Sequence, residues 1–162
     1  MRLFVRIGIA VAFVAVFAAC RQQAPGDPMR NNATTRQEVE ASLQRLSELV
    51  SARDMAVLDE FVADPDVMLL GSEAGEFKVG REQLAAHFQE IFKLPFSIAF
   101  DWTETRVSSI DDVAWVYASG DIVLKGADGE MRAPYRLTGV LERRDGRWRW
   151  RQFHGSEPTK PQ

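Results

Sequence analysis

The residues best suited to chemistry lie near the end of the chain, in the segment RWRWRQFHGS (147–156). Its alternating aromatic and basic residues predict a half-buried β-strand. The preceding Asp145-Gly146 predicts a two-residue hairpin turn that places Arg144 opposite Arg147. If that register continues, His154 opposes Leu137 and lies on the same face as the two tryptophans. This is the predicted inner face, because burying two tryptophans is more favourable than burying three arginines.

Further polar groups lie on the same predicted face. Tyr135 opposes Ser156, and Gln152 lies between Trp150 and His154 along the last strand. An apolar cavity with a few converging polar groups is typical of small-molecule sites. His154 could act there as a general base near neutral pH and is the candidate catalytic residue. The alternative is a core histidine satisfied by Tyr135 or by a backbone carbonyl. The predicted ligand-binding residues are Glu76, Phe92, Trp102, Tyr135, Leu137, Trp150, Gln152, His154 and Ser156.

Three titratable residues outside the last two strands have different predicted environments. Glu76 precedes Phe77 in a loop and is the best carboxylate candidate, the alternative being a residue that caps the following helix. Asp101 is out of phase with Phe100 and Trp102, which predicts solvent exposure. His87 lies at the edge of an apolar helical stripe and is interpreted as a partly exposed helix residue.

Composition and motifs argue against several classes of function. The 162 residues carry a formal charge of −3, which gives no general attraction for nucleic acid. The arginines between Arg143 and Arg151 alternate with tryptophans and are interpreted as a solvated outer face, with Glu142 opposite Arg149. Two histidines and one cysteine, without HExxH spacing, give no metal site, and GxGxxG, P-loop and GxSxG motifs are absent. We therefore expect no metal, no cofactor and no nucleic-acid partner.

The elements that must position these residues follow from apolar periodicity and turn residues. A capping box at Thr35 precedes a helix, Asp54 begins a short second helix, and a third helix spans about 81–92. Short extended segments are predicted at 66–70 and 76–79, on either side of a loop. Four long strands follow, one containing 96–102 and three between Val113 and Ser156, joined by turns that include Asp128-Gly129. Helices on one face of such a sheet make an α+β fold.

Two segments, GSEAGEFKVGREQL (71–84) and RLTGVLERRDGRWRWRQFHGSEP (136–158), resemble the SnoaL-like branch of the nuclear transport factor 2-like superfamily. The resemblance implies a cone-shaped fold, with about three N-terminal helices packed on a curved antiparallel sheet and a pocket at the mouth of the cone. The superfamily includes isomerases, cyclases and dehydratases as well as members that bind ligands or assemble. Its fold therefore does not determine a function.

Three functions stay open at this point. The leading hypothesis is a domain that binds a small, largely apolar ligand in the pocket. The alternatives are an enzyme of the isomerase, cyclase or dehydratase type that uses His154 in proton transfer, and a dimeric assembly module without catalysis. A closed interior would favour assembly, whereas a cavity of about 300 Å³ or more would favour a ligand.

The N-terminal residues predict a location in the cell envelope. Arg2 and Arg6 precede an apolar run that ends in Phe17-Ala18-Ala19-Cys20, which resembles a bacterial lipobox. We predict a lipoprotein signal peptide (1–19), a lipidated flexible tether (20–33), a SnoaL-like domain (34–158) and a tail (159–162). By resemblance, Arg21 after the cysteine favours the outer membrane. The protein would lie on its periplasmic side, anchored in the membrane lipid through Cys20.

A homodimer is also expected, by resemblance and from the pattern of the strands. If Lys125 opposes Glu130, then Gly120 opposes Tyr135 and belongs to the inner face. Trp115 and Tyr117 then point outward, and a soluble monomer would rarely leave such an aromatic patch exposed.

Replacing the only cysteine of the sequence tests the predicted location. Cys20→Ser should abolish acyl labelling and membrane association, while the domain should still fold because the tether lies outside its predicted core. Fractionation and metabolic labelling with a fatty acid measure both effects. Partitioning of the variant with envelope membranes to the same extent as the wild type would contradict the lipoprotein prediction.

Overall fold

A computed structural model of the protein describes residues 33–73 and 75–158. The predicted signal peptide, Cys20 and almost all of the tether lie outside the described residues, as does the tail. Within the described ranges, no helix is both long enough and apolar enough to cross a membrane.

Helix α1 (Ala33–Ser51) buries one apolar stripe against the sheet, and its members are those predicted: Val39, Leu43, Leu46 and Val50. The helix begins before Thr35, so the predicted capping box lies within it. Glu38 instead accepts a hydrogen bond from the indole Nε1 of Trp148, at 2.9 Å. This contact ties the helix to the last strand.

Two shorter helices complete the helical layer. A 3-10 helix (Met55–Glu60) begins where predicted, because the Asp54 carboxylate accepts the backbone N–H of Ala56 at 2.8 Å. Helix α2 (Gly80–Ile91) buries Leu84 and Phe88. All three predicted helices are therefore present.

Six strands form one sheet in the order β2-β1-β6-β5-β4-β3. Their bounds are β1 Met68–Leu70, β2 Phe77–Val79, β3 Ser97–Ile110, β4 Val113–Gly126, β5 Gly129–Arg144 and β6 Arg147–Ser156. The last four form the predicted antiparallel meander, whereas β1 runs parallel to β6. The prediction of an α+β fold with helices on a curved sheet is confirmed, with this one parallel pair added.

The register of the last hairpin is as predicted only as far as Trp150, which opposes Leu141. A β-bulge follows, and Gln152 then opposes Val140 in place of Gly139. One extra residue moves every later side chain to the opposite face of the sheet, because successive residues of a strand point to opposite faces. The inner face therefore receives Phe153, which is buried, and the predicted inner position of His154 is wrong.

The bulge has partners on both sides of the sheet. Arg151, the extra residue, forms ion pairs on the outer side with Glu142, Asp64 and Asp66. On the inner side the ring of Trp150 occupies the space above Gly139, where any side chain would collide with it. The predicted pairing of Arg149 with Glu142 holds for the backbone, but Arg151 makes the ion pair.

The register of the preceding hairpin is as predicted along its whole length. Lys125 opposes Glu130, and Gly120 opposes Tyr135. Trp115 lies beside Val140 and is 42% exposed, whereas Tyr135 is buried on the inner face. The predicted outward orientation of Trp115 is confirmed.

The core between helices and sheet is centred on Trp150, which is completely buried with Phe61, Leu84, Leu137 and Leu141. Trp150→Ala should lower the free energy of unfolding by about 3–5 kcal/mol, because the large cavity left behind cannot collapse fully. Denaturant titration measures the change.

Arg149→Ala, one residue away on the other face, is the control and should cost less than about 1 kcal/mol. Its guanidinium makes no ion pair within the described residues. Equal losses for the two variants would contradict the assignment of the inner face.

Candidate ligand pocket

A partly enclosed cavity of about 110 Å³ lies between the helices and the inner face of the sheet. Most of its lining is apolar, with side chains drawn from α1, the 3-10 helix region, α2 and four strands. These are Leu46, Val50, Phe61, Leu69, Phe88, Ile91, Ile98, Phe100, Ile122 and Phe153. The remaining lining consists of Gly71, Ser72, Glu76, His87 and Tyr135. The cavity thus combines an apolar interior with a small set of polar groups.

Tyr135 reaches the cavity from β5, where one glycine makes space for it. Its hydroxyl occupies the space beside Gly155, where a side chain would collide with it. Its ring packs against Phe100 and Trp102, with centroid distances of 5.5 and 6.3 Å. Burial raises the pKa of the phenol, and the nearby carboxylates of Glu76 and Glu157 raise it further. Tyr135 therefore stays a neutral hydrogen-bonding group.

Glu76 enters from the turn between β1 and β2. The backbone N–H of Gly71 donates to the Glu76 carbonyl at 3.1 Å, which closes the turn. The carboxylate accepts the backbone N–H of Glu73 at 3.0 Å. A side chain at Gly71 would collide with Glu76, so a glycine there lets the carboxylate lie over the turn. Glu76 makes no ion pair within 33–73 and 75–158.

His87 reaches the cavity from α2, one helical turn after the buried Leu84. Its ring contacts Phe88 edge-on, with a centroid distance of 5.8 Å. Burial lowers the pKa of the imidazole below its ordinary 6.5; Glu76 opposes this shift and Lys78 adds to it. His87 is therefore neutral at pH 7 and can either donate or accept a hydrogen bond.

The mouth of the cavity, at the exposed Ser72, contacts the residue that follows β6. Ser72, in the turn after β1, donates its hydroxyl to Glu157 at 3.2 Å. Glu157 follows β6 directly and is close enough to affect the pKa of Tyr135. Glu76, His87 and Tyr135 therefore line the pocket together, and Glu157 lies near Tyr135.

Of the nine predicted ligand-binding residues, the structure places Glu76 and Tyr135 in the lining. Leu137 and Trp150 are buried in the core without lining the cavity, and Phe92 and Trp102 pack around that core. Gln152, His154 and Ser156 lie beyond the bulge on the opposite face. The structure thus removes the predicted catalytic histidine from the pocket.

The structure puts His87 in the pocket instead, a residue interpreted from sequence as a bystander. Its signal was its spacing, three residues after Leu84 and four before Ile91, which places all three on one helix face. Phe153, Ile98, Ile122 and Ser72 were also missed as lining residues. Ile98 was visible as an inward residue of an alternating strand, whereas Phe153 depends on the bulge.

The arrangement can bind an apolar group inside and a polar group at the mouth. A neutral imidazole near a carboxylate can also accept a proton, so the pocket contains a group suited to general-base chemistry. No cluster of three or more potential metal ligands occurs in the part of the chain that the structure describes.

The chain therefore has the architecture of cone-shaped α+β domains with an interior pocket. A family model described as the SnoaL-like domain matches residues 39–160, and the protein belongs to this family. A search of curated proteins found no match.

Several solved structures share the fold. A candidate dehydratase of the nuclear transport factor 2-like family from Streptomyces avermitilis is 18% identical, with a TM-score of 0.72 over 79% of this chain and 99% of that chain. A protein from Catenulispora acidiphila, solved in complex with S-DNPA, is 18% identical, with a TM-score of 0.69 over 78% and 95%. A candidate calcium/calmodulin dependent protein kinase II association domain from Xanthomonas campestris is 24% identical, with a TM-score of 0.64 over 77% and 89%. At these identities the likeness concerns the fold alone.

The pKa of His87 provides a direct test of this geometry. Because the chain has only two histidines, their imidazole NMR signals can be followed separately during a pH titration. The signal of His87 should titrate below pH 6.5, since burial disfavours its charged form.

Two charge-removing variants should move this midpoint in opposite directions. Glu76→Gln should lower it further and Lys78→Met should raise it, because the two charges act on His87 with opposite signs. A midpoint that stays the same in both variants would contradict the placement of His87 beside Glu76.

Proposed function

We propose that the protein binds a small, largely apolar ligand in this pocket. The observation that carries the proposal is the apolar cavity that ends in Glu76, His87 and Tyr135. The apolar lining would bury the body of the ligand, and the three polar groups would orient its polar end. Family membership supports a pocket at this place but does not identify its ligand.

The volume limits the size of the ligand. The cavity of about 110 Å³ does not reach the roughly 300 Å³ expected for a typical ligand site, so the proposal is restricted to a small ligand. It is closer to the engineered cavity of about 150 Å³ that binds benzene. We therefore infer a ligand whose buried part is about one six-membered ring, with its polar end at the open mouth.

Filling the cavity should abolish binding. Ile122 lines the cavity from β4, and Ile122→Phe should weaken the binding of phenol, cyclohexanol and benzyl alcohol by tenfold or more. Ligand-observed NMR and thermal shift, with the protein starting at Arg21, measure the affinity.

Ile110→Phe is the matched control, since Ile110 is an exposed isoleucine at the far end of β3. It should bind these compounds as the wild type does. Failure of the wild type to bind any of them, or equal binding by Ile122→Phe, would contradict the proposal.

The predicted location belongs to the same proposal. We infer a lipid-anchored protein of the cell envelope, on the periplasmic side and held through Cys20. The support is the arginine-apolar-lipobox pattern of residues 1–20. In this setting a flexible tether would hold the pocket near the membrane surface.

A second proposal, homodimerisation through the outer sheet face, is favoured by a specific surface patch. Ile110, Val113 and Trp115 are large exposed apolar residues, and Trp115 lies beside Val140. Charged residues of both signs border this patch, including the ion pair of Arg106 with Glu104. An apolar centre with a mixed-charge rim is the usual composition of a protein interface.

Trp115→Arg should convert the dimer into a folded monomer, because a charge would be buried at the centre of the interface. Light scattering measures the mass, and circular dichroism checks the fold. Met131→Arg, which replaces an exposed apolar residue near the β4–β5 turn, should leave the dimer intact. A wild type that stays monomeric at high concentration would refute the dimer.

A further inference from the structure

We propose that the ligand of this pocket is an organic cation, an apolar amine whose ammonium group pairs with the carboxylate of Glu76. This inference rests on the proposed binding function and names the chemical class of the ligand. It depends on the distribution of charge around the cavity.

The lining has one carboxylate and no side chain with a permanent positive charge. Among the described residues that line the cavity, Glu76 is the only carboxylate, and no lysine or arginine is present. Lys78 is the cation that acts on the pKa of His87, and its ammonium donates to the carbonyl of Gly75 at 2.8 Å. A ligand carboxylate would therefore find no counter-ion in the lining.

Glu76 differs from the other half-buried and buried carboxylates of the chain. Glu60 pairs with Arg45 and Arg147, and Glu142 pairs with Arg144 and Arg151. Among the described residues Glu76 makes no such pair, and its carboxylate accepts one hydrogen bond, from the backbone N–H of Glu73. A partly desolvated carboxylate is stabilised by a nearby cation, and a bound ammonium would supply one.

Charges and rings near the mouth favour the same class of ligand. Glu157 lies close to Tyr135 and adds a second negative charge beside the mouth. Two carboxylates with low-dielectric walls produce a negative potential that attracts cations and repels anions. Phe88, Phe100 and Tyr135 also line the cavity, and aromatic faces attract ammonium groups.

His87 does not counter this potential at neutral pH. Its buried imidazole is uncharged there, so it can accept a hydrogen bond from an ammonium group without repelling it. The apolar interior would hold the ring or alkyl part of the amine, as the proposed function requires.

Three probes with one ring and similar size separate the charge effect from apolar binding: benzylamine (cation), benzyl alcohol (neutral) and benzoate (anion). At pH 7.5, the protein starting at Arg21 should bind benzylamine about tenfold more tightly than benzyl alcohol, and benzoate most weakly. Glu76→Gln should remove the preference for benzylamine over benzyl alcohol. Glu82→Gln, which neutralises an exposed carboxylate on α2, should keep the preference.

The outcomes distinguish this inference from the proposal on which it rests. If benzyl alcohol binds as tightly as benzylamine, or if Glu76→Gln keeps the preference, the cation inference is overturned and pocket binding stands. If none of the three probes binds the wild type at millimolar concentration, the binding function fails and the cation inference fails with it.

Discussion

The one-residue bulge in β6 determines which residues form the inner surface of this protein. It inserts Arg151 opposite β5, where the guanidinium meets Glu142, Asp64 and Asp66. The extra residue lets Trp150 and Phe153 face the interior together, although an unbroken strand would direct them to opposite faces. Without the bulge, His154 would face the cavity and Phe153 the solvent. The content of the pocket therefore depends on this local irregularity.

The polar end of the pocket is assembled from distant parts of the chain. Glu76 belongs to the β1–β2 turn, His87 to α2 and Tyr135 to β5. Each is positioned by a separate local feature: a tight turn beside Gly71, a helical spacing from Leu84, and the space beside Gly155. Because β1 joins the sheet parallel to β6, the turn that carries Glu76 comes to lie beside the end of β6. Tertiary pairing therefore brings the carboxylate and the phenol together.

Membership of the SnoaL-like family places the chain in a fold that has accommodated different functions. The similar structures include a candidate dehydratase, a protein in complex with S-DNPA and a candidate association domain. What separates these possibilities for this protein is the chemistry of its own surfaces. The pocket is small, apolar and negative at the mouth, whereas the outer sheet face presents Trp115 and its apolar neighbours. The two surfaces lie on opposite sides of one sheet, so ligand binding and self-association are compatible.

The sequence by itself determined the fold class, the three helices and the four-strand meander, because apolar period and turn residues are local signals. It also determined the β4–β5 register, since Lys125 and Glu130 flank the turn there and no irregularity follows. Glu76 and Tyr135, two of the predicted ligand-binding residues, line the cavity.

Only the tertiary structure decided the rest of the site. A bulge has no dependable sequence signature, since it is stabilised here by Asp64 and Asp66, which lie far from Arg151 in the chain. The residue-by-residue prediction therefore failed from Gln152 onward and assigned His154 to the wrong face. The spacing of His87 placed it on the edge of a helix but could not show what that edge faces. Its place in the pocket follows from the packing of α2 against β1 and the 3-10 helix, which the spacing within α2 does not encode.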